Sequence, residues 1–185
     1  TVVSAPTIIV ERLDYQYPAY TKKSGDSVQQ QGDIKAIEGT KVTIHAIANQ
    51  PIKSARIEFD PSEKEAAAEM APLAADGQQA RGTITLLLKA DRQTPWHATY
   101  QVRFYNARGQ RSQQPILHKL EVIRDLSPEV QLLKPEKLRI EVPENGELEM
   151  QVRAVDPDYG LASVRIEGTA AGKPPVKVDL IQDGT

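Results

Sequence analysis

Pro51-Ile52-Lys53-Ser54-Ala55-Arg56-Ile57-Glu58 recurs later in the chain as Gly160-Leu161-Ala162-Ser163-Val164-Arg165-Ile166-Glu167. The likeness extends to both sides. Upstream, Val42-Thr43-Ile44-His45-Ala46-Ile47-Ala48 matches Leu148-Glu149-Met150-Gln151-Val152-Arg153-Ala154. Downstream, the turn signal Asp76-Gly77 matches Asp183-Gly184. The three matches share nearly the same offset, which is the mark of an internal repeat. Within each copy apolar residues alternate with polar ones, the period of a half-buried strand.

The same alternation runs through most of the chain. Ile8-Ile9-Val10 opens the series, and 22–32 is polar and reads as an exposed loop. Short strands are expected over 33–37 and 42–48. In the next strand Ala55, Ile57 and Phe59 share the inner face. Glu63 to Met70 is rich in Ala and Glu and has high helix propensity, but it is too short to be stable alone. A one- or two-turn helix and a fifth strand are equally expected there. Strands follow over 81–88, through Tyr100, Val102 and Phe104, and over 116–123. Leu126-Ser127-Pro128 then reads as a short, stiff linker. Beyond it strands are expected over 130–133, 138–142, 148–155, 162–167 and 176–181. The fold class is therefore all-β: tandem immunoglobulin-like β-sandwiches, residues 1–125 forming the first and 126–185 the N-terminal part of the second.

Composition excludes several function classes. The 185 residues carry a net charge of −2, and Lys and Arg are scattered, so nothing favours nucleic acid as a partner. There is no cysteine, which removes disulfides, thiolate catalysis and Cys-type metal sites. No stretch approaches the roughly 18 apolar residues of a membrane span, so direct insertion is not expected.

His45, His97 and His118 are the three histidines, and no spacing among them resembles a metal or catalytic motif. No Gly-x-Ser-x-Gly elbow occurs. The sequence thus calls for no catalytic residue and no cofactor. Asp156-Pro157-Asp158-Tyr159-Gly160 is the most pointed acidic cluster. Asp156 and Asp158 could both face a hard cation, but an Asp-Pro turn accounts for them better. Trp96, Tyr100 and Phe104 are expected in the core, Tyr100 with its hydroxyl bonded to nearby backbone. Tyr15, Tyr17 and Tyr20 are the candidate ligand-binding residues, as an aromatic platform for a polysaccharide.

Pro128-Glu129-Val130, Ala154-Val155-Asp156 and Gly160-Leu161-Ala162-Ser163-Val164 together resemble bacterial immunoglobulin-like and fibronectin type III-like repeats. A narrower likeness lies in Tyr17-Pro18-Ala19-Tyr20-Thr21 followed by Gly32-Asp33-Ile34-Lys35-Ala36-Ile37-Glu38-Gly39-Thr40-Lys41-Val42. It resembles the ectodomain of a large uncharacterised family of bacterial membrane-anchored proteins. That resemblance implies an excised soluble part of an envelope protein, extracytoplasmic, with no established activity to carry over. The expected function is a non-catalytic structural or protein-interaction module, partnered by another protein or by self-association through exposed sheet faces. The alternatives are a carbohydrate- or peptidoglycan-binding module and an accessory domain of a larger enzyme.

Overall fold

The computed structural model describes residues 4–61, 66–73, 77–137, 139–143, 145–161, 163–169 and 172–180. Among them every long element is a strand, with one 3₁₀ turn, Ala19–Thr21, and no α-helix. The chain divides into two compact units, Thr1–Arg124 and Asp125–Thr185.

The first unit contains β1 (Ile8–Gln16), β2 (Asp26–Gln29), β3 (Ile34–Ile37), β4 (Lys41–Ala48), β5 (Ile52–Phe59), β6 (Ala66–Leu73), β7 (Gln79–Thr85), β8 (Thr99–Asn106) and β9 (His118–Ile123). They form one nine-stranded sheet in the order β2-β1-β4-β7-β6-β5-β8-β9-β3. The sheet curls because β6 serves two neighbours. Its Ala66–Met70 half pairs with β5, and its Ala71–Leu73 half pairs with β7. Small alanines suit such a corner, and Met70, 3% exposed, plugs it from inside. Gly82 on β7 has no side chain at this point. A Cβ there would lie 2.9 Å from Met70 Cγ and 3.0 Å from Ile57 Cδ1. Tertiary pairing therefore overrides helix propensity at 66–70; residues 63–65 of that segment lie outside the described ones.

The curled sheet encloses the core. Val42, Ile44, Ala46 and Ala48 of β4 are all buried, as are Ala55 and Ile57 of β5 and Tyr100, Val102 and Phe104 of β8. Ser112 locks the end of β8: its Oγ accepts the Phe104 N–H and its N–H donates to the Phe104 carbonyl at 2.9 Å. Several features of this unit differ from expectation, and the strand expected over 81–88 ends at Thr85. The first strand continues past Val10 to Gln16, because β4 pairs with it residue for residue across a bulge after Val10. The polar 22–32 segment carries an edge strand, β2, held to β1. Trp96 lies outside the core at 58% exposed.

The second unit contains β10 (Glu129–Lys134), β11 (Gln151–Val155), β12 (Val164–Gly168) and β13 (Val176–Leu180). They form two separate two-stranded sheets, β10-β11 and β12-β13. No strand forms over the described residues 139–142, and 148–150 are irregular too. No described residue of this unit reaches core burial.

Phe104 is fully buried at the centre of the first unit. Replacing it with alanine leaves a cavity that β4 and β5 cannot close, at a cost of roughly 3–5 kcal/mol. Urea unfolding of Phe104→Ala should show that loss, whereas Trp96→Ala should lie within about 0.5 kcal/mol of the parent because its ring is exposed.

Candidate functional site

A largely apolar hollow of about 210 Å³ in the first unit is lined by Phe59, Ala68, Ile84, Leu86, Leu87, Trp96, His97, Leu120 and Val122, with Thr83 and Thr85. It opens where β5, β6, β7 and β9 diverge. A hairpin after β7 forms its wall. Leu86 and Leu88 take the inward positions, and Leu87, 48% exposed, is left outside with Trp96. The Trp96 N–H donates to the Leu87 carbonyl at 2.8 Å, and Lys89 N–H to the Thr94 carbonyl at 2.8 Å. Asp91 closes the turn by accepting from the Gln93 and Thr94 amides and the Thr94 hydroxyl. Those bonds hold its carboxyl down at about 2. Arg92 pins the hairpin through Glu38 at 2.9 Å.

The floor is equally well held. The His97 ring stacks on Phe59 with centroids 4.3 Å apart. Its Nδ1 lies 2.9 Å from Asp60 Oδ2, while Asp60 Oδ1 accepts the Ala98 and Thr99 amides. Burial opposes ionisation of Asp60, but hydrogen bonds from His97 and these amides outweigh it and keep the carboxyl below its ordinary value. The result is a fixed apolar notch with an indole at its rim.

Two polar hollows flank the sheet elsewhere. One, of about 290 Å³, is lined by Arg56, Glu58, Gln101, Arg103 and Arg111 among others. Glu58 accepts from Arg56 Nε at 2.8 Å, Arg103 Nε at 2.8 Å and Gln101 at 2.7 Å. Burial opposes its ionisation, yet the bonds from Arg103, Gln101 and Arg56 prevail and lower its pKa. An ionised, fully engaged carboxylate of this kind ties strands together and is not a general acid.

The other hollow lies beside His45 and Arg12. Here Ser27 Oγ donates to Asp14 Oδ1 at 2.6 Å, and His45 Nε2 lies 2.7 Å from Asp14 Oδ2. The three residue types are those of a hydrolase triad, in the wrong order. Activation of a serine needs the imidazole between hydroxyl and carboxylate. Here the carboxylate lies in the middle, and burial of Asp14 is outweighed by the bonds from Ser27 and His45 that lower its pKa. Sequence reasoning missed this cluster because β1, β2 and β4 bring it together from distant positions.

The other sequence candidates are placed as follows. Tyr15 is buried in the core and Tyr17 stacks on it at 6.2 Å, half-buried, with the Lys23 ammonium 5.7 Å from its ring. Tyr20 is 43% exposed in the 3₁₀ turn. Asp156 Oδ1 accepts the Asp158 and Tyr159 amides, and Asp158 Oδ2 accepts the Leu126 amide, an arrangement of turn type. Among the described residues no three His, Cys, Asp or Glu side chains converge to hold a metal ion. No helix among them is long and apolar enough to cross a membrane. No protein family matches the chain, and no curated protein or solved structure matches it either.

His118 shows how burial is used at the closed end. Its ring lies 5.1 Å from Tyr100 and packs on Gly32, where a Cβ would come within 2.2 Å of it. The Tyr100 hydroxyl donates to the Gly32 carbonyl at 2.5 Å. Burial lowers the His118 pKa, and Asp33, 3.9 Å away, opposes this only partly. The unfolded chain therefore takes up a proton at this residue before the folded one does. Stability should fall as pH drops below about 6.5, the ordinary histidine value. Urea midpoints measured from neutral pH down to about 5 should show that fall, and His118→Asn should flatten it.

Proposed function

We propose that the chain is a non-catalytic protein-interaction module from the soluble region of a bacterial cell-envelope protein. In this reading it is built of immunoglobulin-like sandwiches in tandem. The observation that carries the interaction role is the Trp96 hairpin. An exposed indole and an exposed leucine stand at the rim of an apolar notch, on a turn held by Asp91, Arg92 and Glu38. Exposed apolar patches framed by polar surface mark contact sites, and tryptophan is the residue type most enriched where binding energy concentrates.

The notch suits one large apolar side chain of a protein partner. Its volume, about 210 Å³, lies below the usual range for small-molecule pockets. Its polar lining is confined to threonines and His97. The alternative reading, a polysaccharide held on Tyr15, Tyr17 and Tyr20, would find Tyr15 buried and only Tyr20 exposed among the three. The non-catalytic role is supported by the Ser27–Asp14–His45 order and by a Glu58 saturated with donors. The envelope setting rests on the resemblance carried by residues 17–42.

Trp96 is the one tryptophan of the chain, so its fluorescence reports this site alone. Peptides selected from a random phage library on the intact protein should carry a single large apolar anchor and change that fluorescence. Trp96→Ala should weaken them about tenfold or more, with the melting temperature unchanged. Peptides that bind Trp96→Ala equally well, or soluble peptidoglycan fragments that alone perturb the fluorescence, would contradict the reading.

A further inference from the structure

The hollow beneath Trp96 runs along an unpaired stretch of strand edge. Consecutive residues of one segment, 83–87, line it, as they do where a strand is met edge-on. On one side of this segment the Leu86 N–H donates to the Thr40 carbonyl at 2.9 Å; on the other the Leu87 carbonyl accepts the Trp96 N–H at 2.8 Å. Strand residues alternate in this way, so Thr83 and Thr85 aim their N–H and C=O groups to the same side as Leu87. Strand β6 does not pair with them. Its ladder with β7 covers Ala71–Leu73 against Gln79–Arg81 and stops there, because before Ala71 it pairs with β5 instead. Between Arg81 and Leu87 this edge has no partner strand among the described residues.

Register defines what fits. The two segments that flank the stretch on this side, β6 and the turn at Pro95, both run antiparallel to β7. A strand added between them in the same direction makes ladder bonds at Thr83 and Thr85 and sets its middle residue opposite Ile84. Residues directly opposite share a face. Ile84 is 8% exposed and points inward, so the middle side chain enters the hollow, whose 210 Å³ or so holds one large apolar group. The residues before and after it face outward beside Thr85 and Thr83. Lys41 lies opposite Thr85 on β4 and forms no ion pair among the described residues. Its ammonium favours a carboxylate at the leading position, two strand spacings of roughly 5 Å away.

We propose that this edge of β7 binds an extended three-residue stretch of a separate protein, acidic, then large and apolar, then polar. The stretch runs antiparallel to β7 with its middle side chain beneath Trp96. Backbone bonds to Thr83 and Thr85 supply affinity, and the hollow selects the side chain. The free edges of the sheet in a second copy do not meet this description. Strands β2 and β3 are 4 residues each and expose Asp26, Ser27, Gln29 and Lys35, none of them apolar. The inference rests on the interaction role given above and adds the mode of binding.

The test uses acetyl-Ser-Glu-Phe-Thr-Ser-amide on the intact chain, followed by residue-resolved amide exchange and by Trp96 fluorescence. Without peptide, the Thr83 and Thr85 amides should exchange about tenfold or more faster than those of Ile84 and Leu86, which face β4. Peptide near ten times its dissociation constant should slow Thr83 and Thr85 about tenfold. Methylating the glutamate or the threonine amide nitrogen of the peptide removes a ladder donor and should weaken binding about tenfold. Methylating the phenylalanine nitrogen, which points away from β7, should not. Thr83 and Thr85 amides as slow as Ile84 without peptide, or no slowing with it, would overturn the proposal. So would slowing that follows protein concentration alone, since a second copy would then fill the edge. Equal binding by all methylated forms, lost when serine replaces the phenylalanine, would overturn the edge pairing and leave the apolar anchor beneath Trp96. If neither this peptide nor library-selected ones perturb Trp96, the interaction role fails as well.

Discussion

The first unit depends on one strand that belongs to two neighbours. Because β6 pairs with β5 through Ala66–Met70 and with β7 through Ala71–Leu73, a single nine-stranded sheet turns back on itself. The corner works only if the inside stays compact. Met70 fills it, and Gly82 leaves the space that Met70 and Ile57 occupy. The core and the notch both follow. The apolar faces of β1, β4 and β7 meet those of β5 and β8, and where β6 lets β5 and β7 separate, the layers part to leave the hollow beneath Trp96.

Charge is used in this fold chiefly as a fastener. Asp14, Glu58 and Asp60 are partly buried, a position that disfavours ionisation, yet each has its pKa lowered by hydrogen bonds that outweigh the burial. Asp14 joins β1 to β2 and β4, Glu58 joins β5 to β8, and Asp60 joins the end of β5 to the start of β8. Side chains committed in this way are poorly placed for proton transfer. They are well placed to hold the sheet rigid behind the exposed Trp96 hairpin.

How much of this was legible in the sequence depended on how local the cause was. Period-two alternation marked β4, β5 and β8, and their inward residues are buried as expected, save Phe59, which is half-buried against the His97 ring. The hydroxyl bond of Tyr100 was also anticipated, although its partner, Gly32, was not. Edge strand β2 was hidden because Asp26–Gln29 has no apolar alternation and is held by backbone pairing to β1. At β6 local propensity and tertiary pairing conflict, so composition alone left helix and strand open. Trp96 misled for another reason. Residue type suggests burial, but the hairpin geometry gives the inward positions to Leu86 and Leu88. The Ser27–Asp14–His45 cluster had no local signal, since three strands assemble it.

The curl of the first unit depends on the shared strand β6. Nuclear magnetic resonance on the intact chain can examine it directly. Cross-strand NOEs should link Met70 to Ala55 and, within the same strand, Ala71 to Arg81, with extended-type carbon shifts over 66–73. Sequential helical NOEs over 66–70, or contacts from 66–73 to only one of β5 and β7, would contradict the corner on which the curled sheet and the Trp96 notch depend.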